Sequence, residues 1–346
     1  MGNMKTFTRI INPNGLKFCN SPWDTVSITN DNRPGHHRPG DVEMCMCRDW
    51  QTAPPIGNLF EKSLSEIYQD KLALQFRETI KDQTFSYCNK NICGRYWGMR
   101  NVSDIDYEIS TIKKLLPTNI ALGLDSNCNL SCASCRNYSI FSPEINETAW
   151  EILTKVSEEY KDFEYPTEIS IDGTGDLFAS ATWRKYLNGN NIPKCFRFRI
   201  TTNGNLITKN LDLIENIKHQ ISEVTVSLDA GTAETYKEIR GGNFRLVIEG
   251  IEALVNMGIN VGTQFVLQQK NYKEIITYRD LARSLNVNWM GLAQIVHWGH
   301  MSDDFWNQNK LEDNPNIDYD LLKSSLREFA TTTNGNMSGG LTKIIQ

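Results

Sequence analysis

At 346 residues the chain is long for a single hydrophobic core, so one large domain with a smaller companion is the expected organisation. A charged content of 22%, a net charge of −5 and the lack of any Lys/Arg-rich block argue against a nucleic-acid surface, and no apolar run approaches the roughly 20 residues of a membrane span. Nine cysteines, an odd number with no export signal in view, argue against a disulfide framework and for a reduced, cytoplasmic protein that places thiolates on metal.

The first 110 or so residues carry Pro and Gly clusters (Pro34–Gly35, Pro39–Gly40, Pro54–Pro55), one helical stretch over Ser63–Ile80, and five dispersed cysteines. A small core held by metal is expected there rather than a free-standing apolar one. From about Asn119 the pattern changes to alternating strands and helices. Strands are predicted at Asn119–Asp125, Glu168–Asp172, Phe196–Thr202, Glu223–Asp229, Val261–Gln268 and Asn288–Val296. Helical periodicity falls between them at Glu147–Tyr160, Ile207–Ile221, Phe244–Met257 (closed by Gly258) and Tyr272–Leu285. Six βα units in a row imply a parallel sheet, either doubly wound or an open partial barrel. The last 45 residues are polar, with a helix near Tyr319–Ala330 and a tail over 331–336 that reads as loose. The predicted domains are therefore 1–112, 113–302 and 303–346.

Directly after the first of these strands, Cys128, Cys132 and Cys135 form C-x3-C-x2-C. Three thiolates in one loop can hold three irons of a [4Fe–4S] cluster and leave the fourth iron open, as catalytic metal sites keep an open position. A structural zinc loop with a distant fourth ligand is the other reading of that spacing. Small or polar residues follow the later strands at the same, C-terminal end: Asp172 to Asp176 (DGTGD), Thr202-Asn203-Gly204, Ser227-Leu228-Asp229, Gln268–Asn271, and the strand TrpMetGlyLeuAlaGlnIle at 289–295. That end is the reactive face of βα barrels.

In this order and spacing, CNLSCASC, GTGD, TTNG, SLDA and IRGG resemble the radical S-adenosylmethionine (radical SAM) superfamily over about Asn119 to Val296. The resemblance implies an α/β fold, a partial (β/α)6 TIM-type barrel. It also implies a SAM-binding [4Fe–4S] cluster whose single electron cleaves SAM to methionine and a 5′-deoxyadenosyl radical, which abstracts hydrogen from substrate. Carried over by position, Cys128, Cys132 and Cys135 match the cluster ligands. Gly173, Thr174, Gly175 and Asp176 match the glycine-glycine-glutamate stretch that receives the SAM amino group, with Asp in place of Glu and an intervening Thr. Asn203 and Ser227 match polar positions that meet SAM's ribose or carboxylate, and Arg240 fits an arginine that pairs with that carboxylate. Asp229 is a weaker match that could face substrate. Leu292 and Ile295 match apolar positions flanking the adenine. Ser134 stands where an aromatic residue is usual before the third cysteine, which leaves adenine stacking to Tyr138 or Phe141.

The earlier cysteines resemble the SPASM and twitch modules of the same superfamily: Cys19 before SPW, Cys45 and Cys47 in EMCMC, the GNL turn at 57–59 with its helix, and Cys88 and Cys93 in YCNKNIC. Here the module precedes the barrel, and five cysteines suffice for one auxiliary [4Fe–4S] cluster. Cys19, Cys88 and Cys93 would be three ligands. Cys45 or Cys47 would be the fourth, because residues at i and i+2 of a strand share a face. A zinc knuckle is the alternative. His36 and His37 read as a solvated turn, Cys195 as a small buried residue at the start of a strand, and His297 and His300 as possible substrate contacts.

The resemblance implies an enzyme that oxidises or crosslinks a peptide or protein, with a flavodoxin or ferredoxin as electron donor. Dehydrogenation or epimerisation of a small sugar or alcohol is the alternative, and a non-catalytic metal- and SAM-binding protein is the alternative of another class.

Overall fold

The computed structural model describes residues 7–9, 19–30, 38–45, 52–90, 93, 96, 108–110, 115–135, 140–171, 174–297 and 301–345. The chain divides into two compact units. One is Met1–Leu124 with Glu147–Ser170 and Asn191–Phe196; the other is Asp125–Asn146 with Ile171–Asn190 and Arg197–Gln346.

The first unit holds β1 (Phe7–Arg9), β2 (Thr25–Thr29), β3 (Asp41–Met44), β4 (Gly57–Asn58), β5 (Glu108–Ser110), β6 (Asn119–Gly123) and β7 (Thr167–Ile171). β1 and β5 form a separate antiparallel pair. The remaining order is β7-β6-β2-β3-β4, with β2 parallel to β6 and antiparallel to β3. This departs from a core held by metal alone. Val26, Ile28, Val42, Met44, Leu64, Ile67 and Phe76 are all fully buried. The cysteine-rich stretch therefore has an apolar core of its own, because β2 finds a parallel partner 94 positions along the chain, Thr25 opposite Asn119. The helix Glu147–Tyr160 runs as expected. It buries Ala149, Ile152, Leu153, Val156 and Tyr160, the i, i+3, i+4, i+7 stripe of an amphipathic helix. Its Glu159 carboxylate accepts from the amides of Leu64 (2.5 Å) and Ser65 (2.9 Å), the first turn of the helix Leu64–Gln69.

The single helix expected over Ser63–Ile80 is two, Leu64–Gln69 and Lys71–Lys81. Asp70 between them adopts extended backbone (φ −71°, ψ 164°) and its carboxylate accepts from the Lys71 amide. Asp competes for backbone N–H groups and prefers caps to helix interiors, which is why the break falls there.

The second unit carries β8 (Phe196–Thr202), β9 (Ile221–Ser227), β10 (Val261–Leu267), β11 (Trp289–Gln294) and β12 (Gly335–Met337), all paired in parallel in that order. The segment read as a loose tail is thus in part a strand. The Met290 amide donates to Asn334 O and the Ser338 amide to Leu292 O, pairings that a turn-like sequence does not announce. Helical segments follow each of β6 to β11, which gives the α/β fold of partial (β/α)6 barrel type.

This sheet has two unlike faces. Phe198, Ile200, Val224, Val226, Val261, Phe265, Met290 and Leu292 are buried. On the other face the pairing aligns Arg199 with Glu223, Thr201 with Thr225, and Gln264 with both Ser227 and Gly291. These residues, the buried Gly291 apart, are only half-buried. A closed βα barrel fills its interior with bulky branched side chains. The polar, half-buried face here lacks that filling. At its foot the Trp289 indole donates to the Glu223 carboxylate (2.9 Å). The indole lies over Gly262, where an added Cβ would sit 2.0 Å from the ring. Gly262→Ala should lower stability by about 1–3 kcal/mol, measured as a reduced midpoint in denaturant unfolding.

Candidate functional site

The loop after β6 begins at Asp125, whose carboxylate is buried. Its Oδ1 accepts from the Asn127 amide (3.0 Å) and side chain (2.7 Å), and its Oδ2 accepts from the Ser180 hydroxyl (2.5 Å). The cysteine loop is closed at its base, where the Cys128 amide donates to Ile140 O (2.7 Å) and the Ser142 amide to Asn127 Oδ1 (2.5 Å). Within it the Cys135 amide donates to Cys132 O (2.9 Å).

Thr174, Gly175 and Asp176 sit against this loop. The Thr174 hydroxyl donates to Asp125 O (3.1 Å), and the Asp176 amide donates to Asn127 O (2.8 Å). A Cβ on Gly175 would lie 2.4 Å from Asn127 O and 2.5 Å from Asp125 O, so only glycine lets the two loops meet. Asp176 is buried. Its Oδ2 accepts from the Thr202 hydroxyl (2.8 Å) and the Asn203 amide (2.7 Å), and its Oδ1 from the Phe178 amide (3.1 Å). Burial pushes its carboxyl above the usual range, against these hydrogen bonds and the nearby Arg240 charge. The carboxylate thus holds loops of the protein itself together, although its sequence position matches one that receives the SAM amino group.

Asn203 donates from Nδ2 to Cys128 Sγ (3.7 Å) and to Asn129 Oδ1 (2.9 Å). Arg240 donates from Nη1 to Asp229 Oδ2. The other oxygen of Asp229 accepts from the Val266 amide (2.7 Å), and its backbone stands at φ 53°. Burial opposes the Arg240 charge, and the Asp229 carboxylate more than restores it. Arg240 O is 3.7 Å from Cys132 Sγ. Burial pushes the Cys132 thiol above its usual range; Arg240 pulls it down while Asp229, Cys135 and Cys128 push it up. Ser227 stands half-buried at the end of β9 opposite Gln264. Leu292 shares the buried face with its neighbour Phe265, and Ile295 is buried just past β11, so both pack as core. Phe141 is 61% exposed beside the cysteine loop. His297 packs edge-on against Trp306. Gly173, Tyr138 and His300 lie outside the described residues.

In the first unit, Cys19 precedes the short helix Ser21–Asp24, which Arg77 and Tyr68 hold by bonds to Pro22 O (2.8 Å) and Trp23 O (2.6 Å). The Cys93 amide donates to Asn89 O (2.9 Å), and Cys93 Sγ accepts from the Tyr96 amide (3.4 Å). Burial pushes the Cys88 thiol up to about 12, with Cys19 and Cys93 adding to the shift. Cys45 follows β3 in a left-handed conformation (φ 76°). The strand ends at Met44, so Cys45 lies just past it. Cys47, His36 and His37 lie outside the described residues. Cys195 is buried, with its thiol donating to Tyr160 O (3.6 Å).

None of the described cysteines is in a disulfide. Among the described residues no group of three or more His, Cys, Asp or Glu side chains is set to hold a single metal ion. In kind, the donors of both trios suit an iron–sulfur cluster, since each set is all thiol. Sequence reasoning did not single out Asp125, Asn127, Asn129 or Ser180 as site residues. Their signal was polar residues gathered directly after strand ends.

A profile of the radical SAM superfamily matches residues 126–282, and one of an iron–sulfur cluster-binding domain, SPASM, matches residues 19–94. A probable GTP 3',8-cyclase of Saccharolobus islandicus (strain L.S.2.15 / Lassen #1) is 34% identical over 99 residues, which is 28% of this chain and 31% of that protein. The chain therefore spans under a third of that relative. A protein of the same name from Methanococcus aeolicus is 26% identical over 241 residues, 64% of this chain and 74% of its own. The crystal structure of Streptococcus suis SuiB bound to precursor peptide SuiA aligns with a TM-score of 0.47 at 14% identity, covering 80% of this chain and 64% of that one. The chain carries a radical SAM superfamily domain over residues 126–282, with a SPASM iron–sulfur cluster-binding domain set ahead of it over residues 19–94.

Proposed function

We propose that the chain is an enzyme that cleaves SAM reductively and uses the resulting radical to oxidise or crosslink a peptide or protein. The observation that carries the first half is the trio Cys128, Cys132 and Cys135 in one loop, braced by Gly175, Asp176 and Asn203. These thiols would hold a [4Fe–4S] cluster with one iron left for SAM. When bound, that pair supplies the single electron and the 5′-deoxyadenosyl group. Arg240, already charged and held by Asp229, lies near the same loop and suits an anionic group. Cys19, Cys88, Cys93 and one of Cys45 or Cys47 would hold the auxiliary cluster, whose chemistry there would be to bind substrate or to take an electron from the product radical.

The substrate half rests on the polar face of the second sheet. Thr201, Thr225, Ser227 and Gln264 are neutral donors and acceptors, and Arg199 is within 3.7 Å of Glu223. Such a face suits neutral amides and hydroxyls better than a triphosphate, which calls for several unpaired cations. The relatives named GTP 3',8-cyclase favour a second reading, a small nucleotide or sugar substrate. No helix among the described residues is long and apolar enough to cross a membrane. We place the protein in the cytoplasm, where thiols stay reduced and a flavodoxin or ferredoxin can deliver electrons.

Anaerobic reconstitution with iron and sulfide, then reduction with SAM, should yield 5′-deoxyadenosine, and replacing Cys128, Cys132 or Cys135 with Ala should abolish it. Iron should reach about eight per chain for two four-iron clusters, falling to about four in Cys88→Ala or Cys93→Ala with SAM cleavage retained. Zinc alone, without iron–sulfide absorption, would sink the reading.

Adding GTP to the reduced holoenzyme should leave the yield of 5′-deoxyadenosine unchanged. A rise on GTP would move the assignment to the nucleotide reading.

Gly175→Ala should cut cluster loading and SAM cleavage at least tenfold, because the new methyl meets backbone oxygens that cannot turn aside. Loading equal to wild type, by iron content and visible absorption, would show that the two loops tolerate separation.

A further inference from the structure

Resting on the assignment of Cys128, Cys132 and Cys135 as cluster ligands, we propose that Asn203 is a positioning residue for the cluster and not a contact for SAM. Its amide N–H donates to the Cys128 sulfur and raises the cluster's reduction potential, and Asp176 fixes it in that pose.

Every polar atom of Asn203 is engaged within the protein. Nδ2 has two hydrogens, and its two contacts are Cys128 Sγ at 3.7 Å and Asn129 Oδ1 at 2.9 Å. Oδ1 accepts from the Asn205 amide at 3.0 Å. The backbone amide donates to Asp176 Oδ2 at 2.7 Å. The carbonyl accepts from Asn205 Nδ2 (3.3 Å) and the Tyr236 hydroxyl (3.4 Å). The residue is 5% exposed. No donor remains for a ribose hydroxyl or a carboxylate. A 3.7 Å separation suits an N–H pointing at the larger sulfur atom.

The chemistry of that contact has a definite sign. Reduction adds one negative charge to a cluster already ligated by thiolates. A hydrogen-bond donor aimed at a ligand sulfur stabilises the more negative state more than the less negative one, so it raises the potential. The effect is large where water is excluded and the donor cannot turn away. Asp176 supplies that rigidity, since its carboxylate holds both the Asn203 amide and the Thr202 hydroxyl beside it.

The test is a redox titration of the anaerobically reconstituted protein, followed by electron paramagnetic resonance. The SAM-responsive cluster is identified as the signal that changes when SAM is added. Asn203→Ala and Asn203→Asp should both lower its potential, by about tenfold in the reduction equilibrium, or about 59 mV for one electron. The Asp variant should move further because it adds negative charge. The auxiliary signal should not move. An unchanged potential in a variant that loads its cluster would overturn the proposal.

Should neither variant load, the wild type decides. Protein labelled with 15N in its asparagine amides should show a 15N hyperfine coupling to the reduced SAM-responsive cluster, and its absence overturns the proposal. Wild-type protein that assembles no iron–sulfur cluster at all would instead refute the assignment of the cysteine trio, a separate failure.

Discussion

One buried carboxylate organises the reactive end of the second unit. Asp176 receives hydrogen bonds from Thr202, Asn203 and Phe178, while its own amide reaches Asn127 at the root of the cysteine loop. A carboxylate out of water is costly unless its lone pairs are filled, and here backbone and hydroxyl donors fill them. Strand ends that follow one another in sequence are thereby tied into one frame. The spacing of Cys128, Cys132 and Cys135 has chemical meaning only because that frame holds the loop. Gly175 completes it by letting two backbones approach at a distance no side chain permits.

Arg240 illustrates how a charge can be kept ready in such a place. Its guanidinium is buried, yet Asp229 keeps it ionised, and Asp229 is itself held by the Val266 amide and through its carbonyl by Asn271. A buried ion pair of this kind is weak evidence for stability and better evidence for orientation. The left-handed backbone of Asp229 fits that view, since non-glycine residues occupy that region only where surrounding bonds over-determine it.

The first unit solves a different problem. Cys19, Cys45 and Cys88 stand outside its longer helices and strands, so their positions depend on what pins the segments that carry them. Arg77 and Tyr68 pin the helix after Cys19, and turns around Phe85 and Asn89 carry Cys88 and Cys93. The unit also has an apolar core built on β2, which joins β6 in parallel pairing. That core lets the segments hold their place without relying on metal for every contact.

Periodicity and motif order were enough to place the strand Phe196–Thr202, the strand Val261–Leu267 to within one residue of the expected Val261–Gln268, and the helices Glu147–Tyr160 and Tyr319–Ala330, because alternation and a 3.6-residue stripe are local properties of the chain. The spacing of Cys128, Cys132 and Cys135 is likewise written in sequence, whereas the grouping of Cys19, Cys88 and Cys93 came from the resemblance. Tertiary structure decided the rest. It broke the helix at Asp70, where a carboxylate could cap the next turn, and made a strand of Gly335–Met337, where β11 offered an edge. It also gave Asp176, Asn203 and Arg240 protein partners that their motif position does not announce. The partner of a polar side chain is set by which distant residues the fold brings within hydrogen-bonding range, and no local pattern encodes that distance.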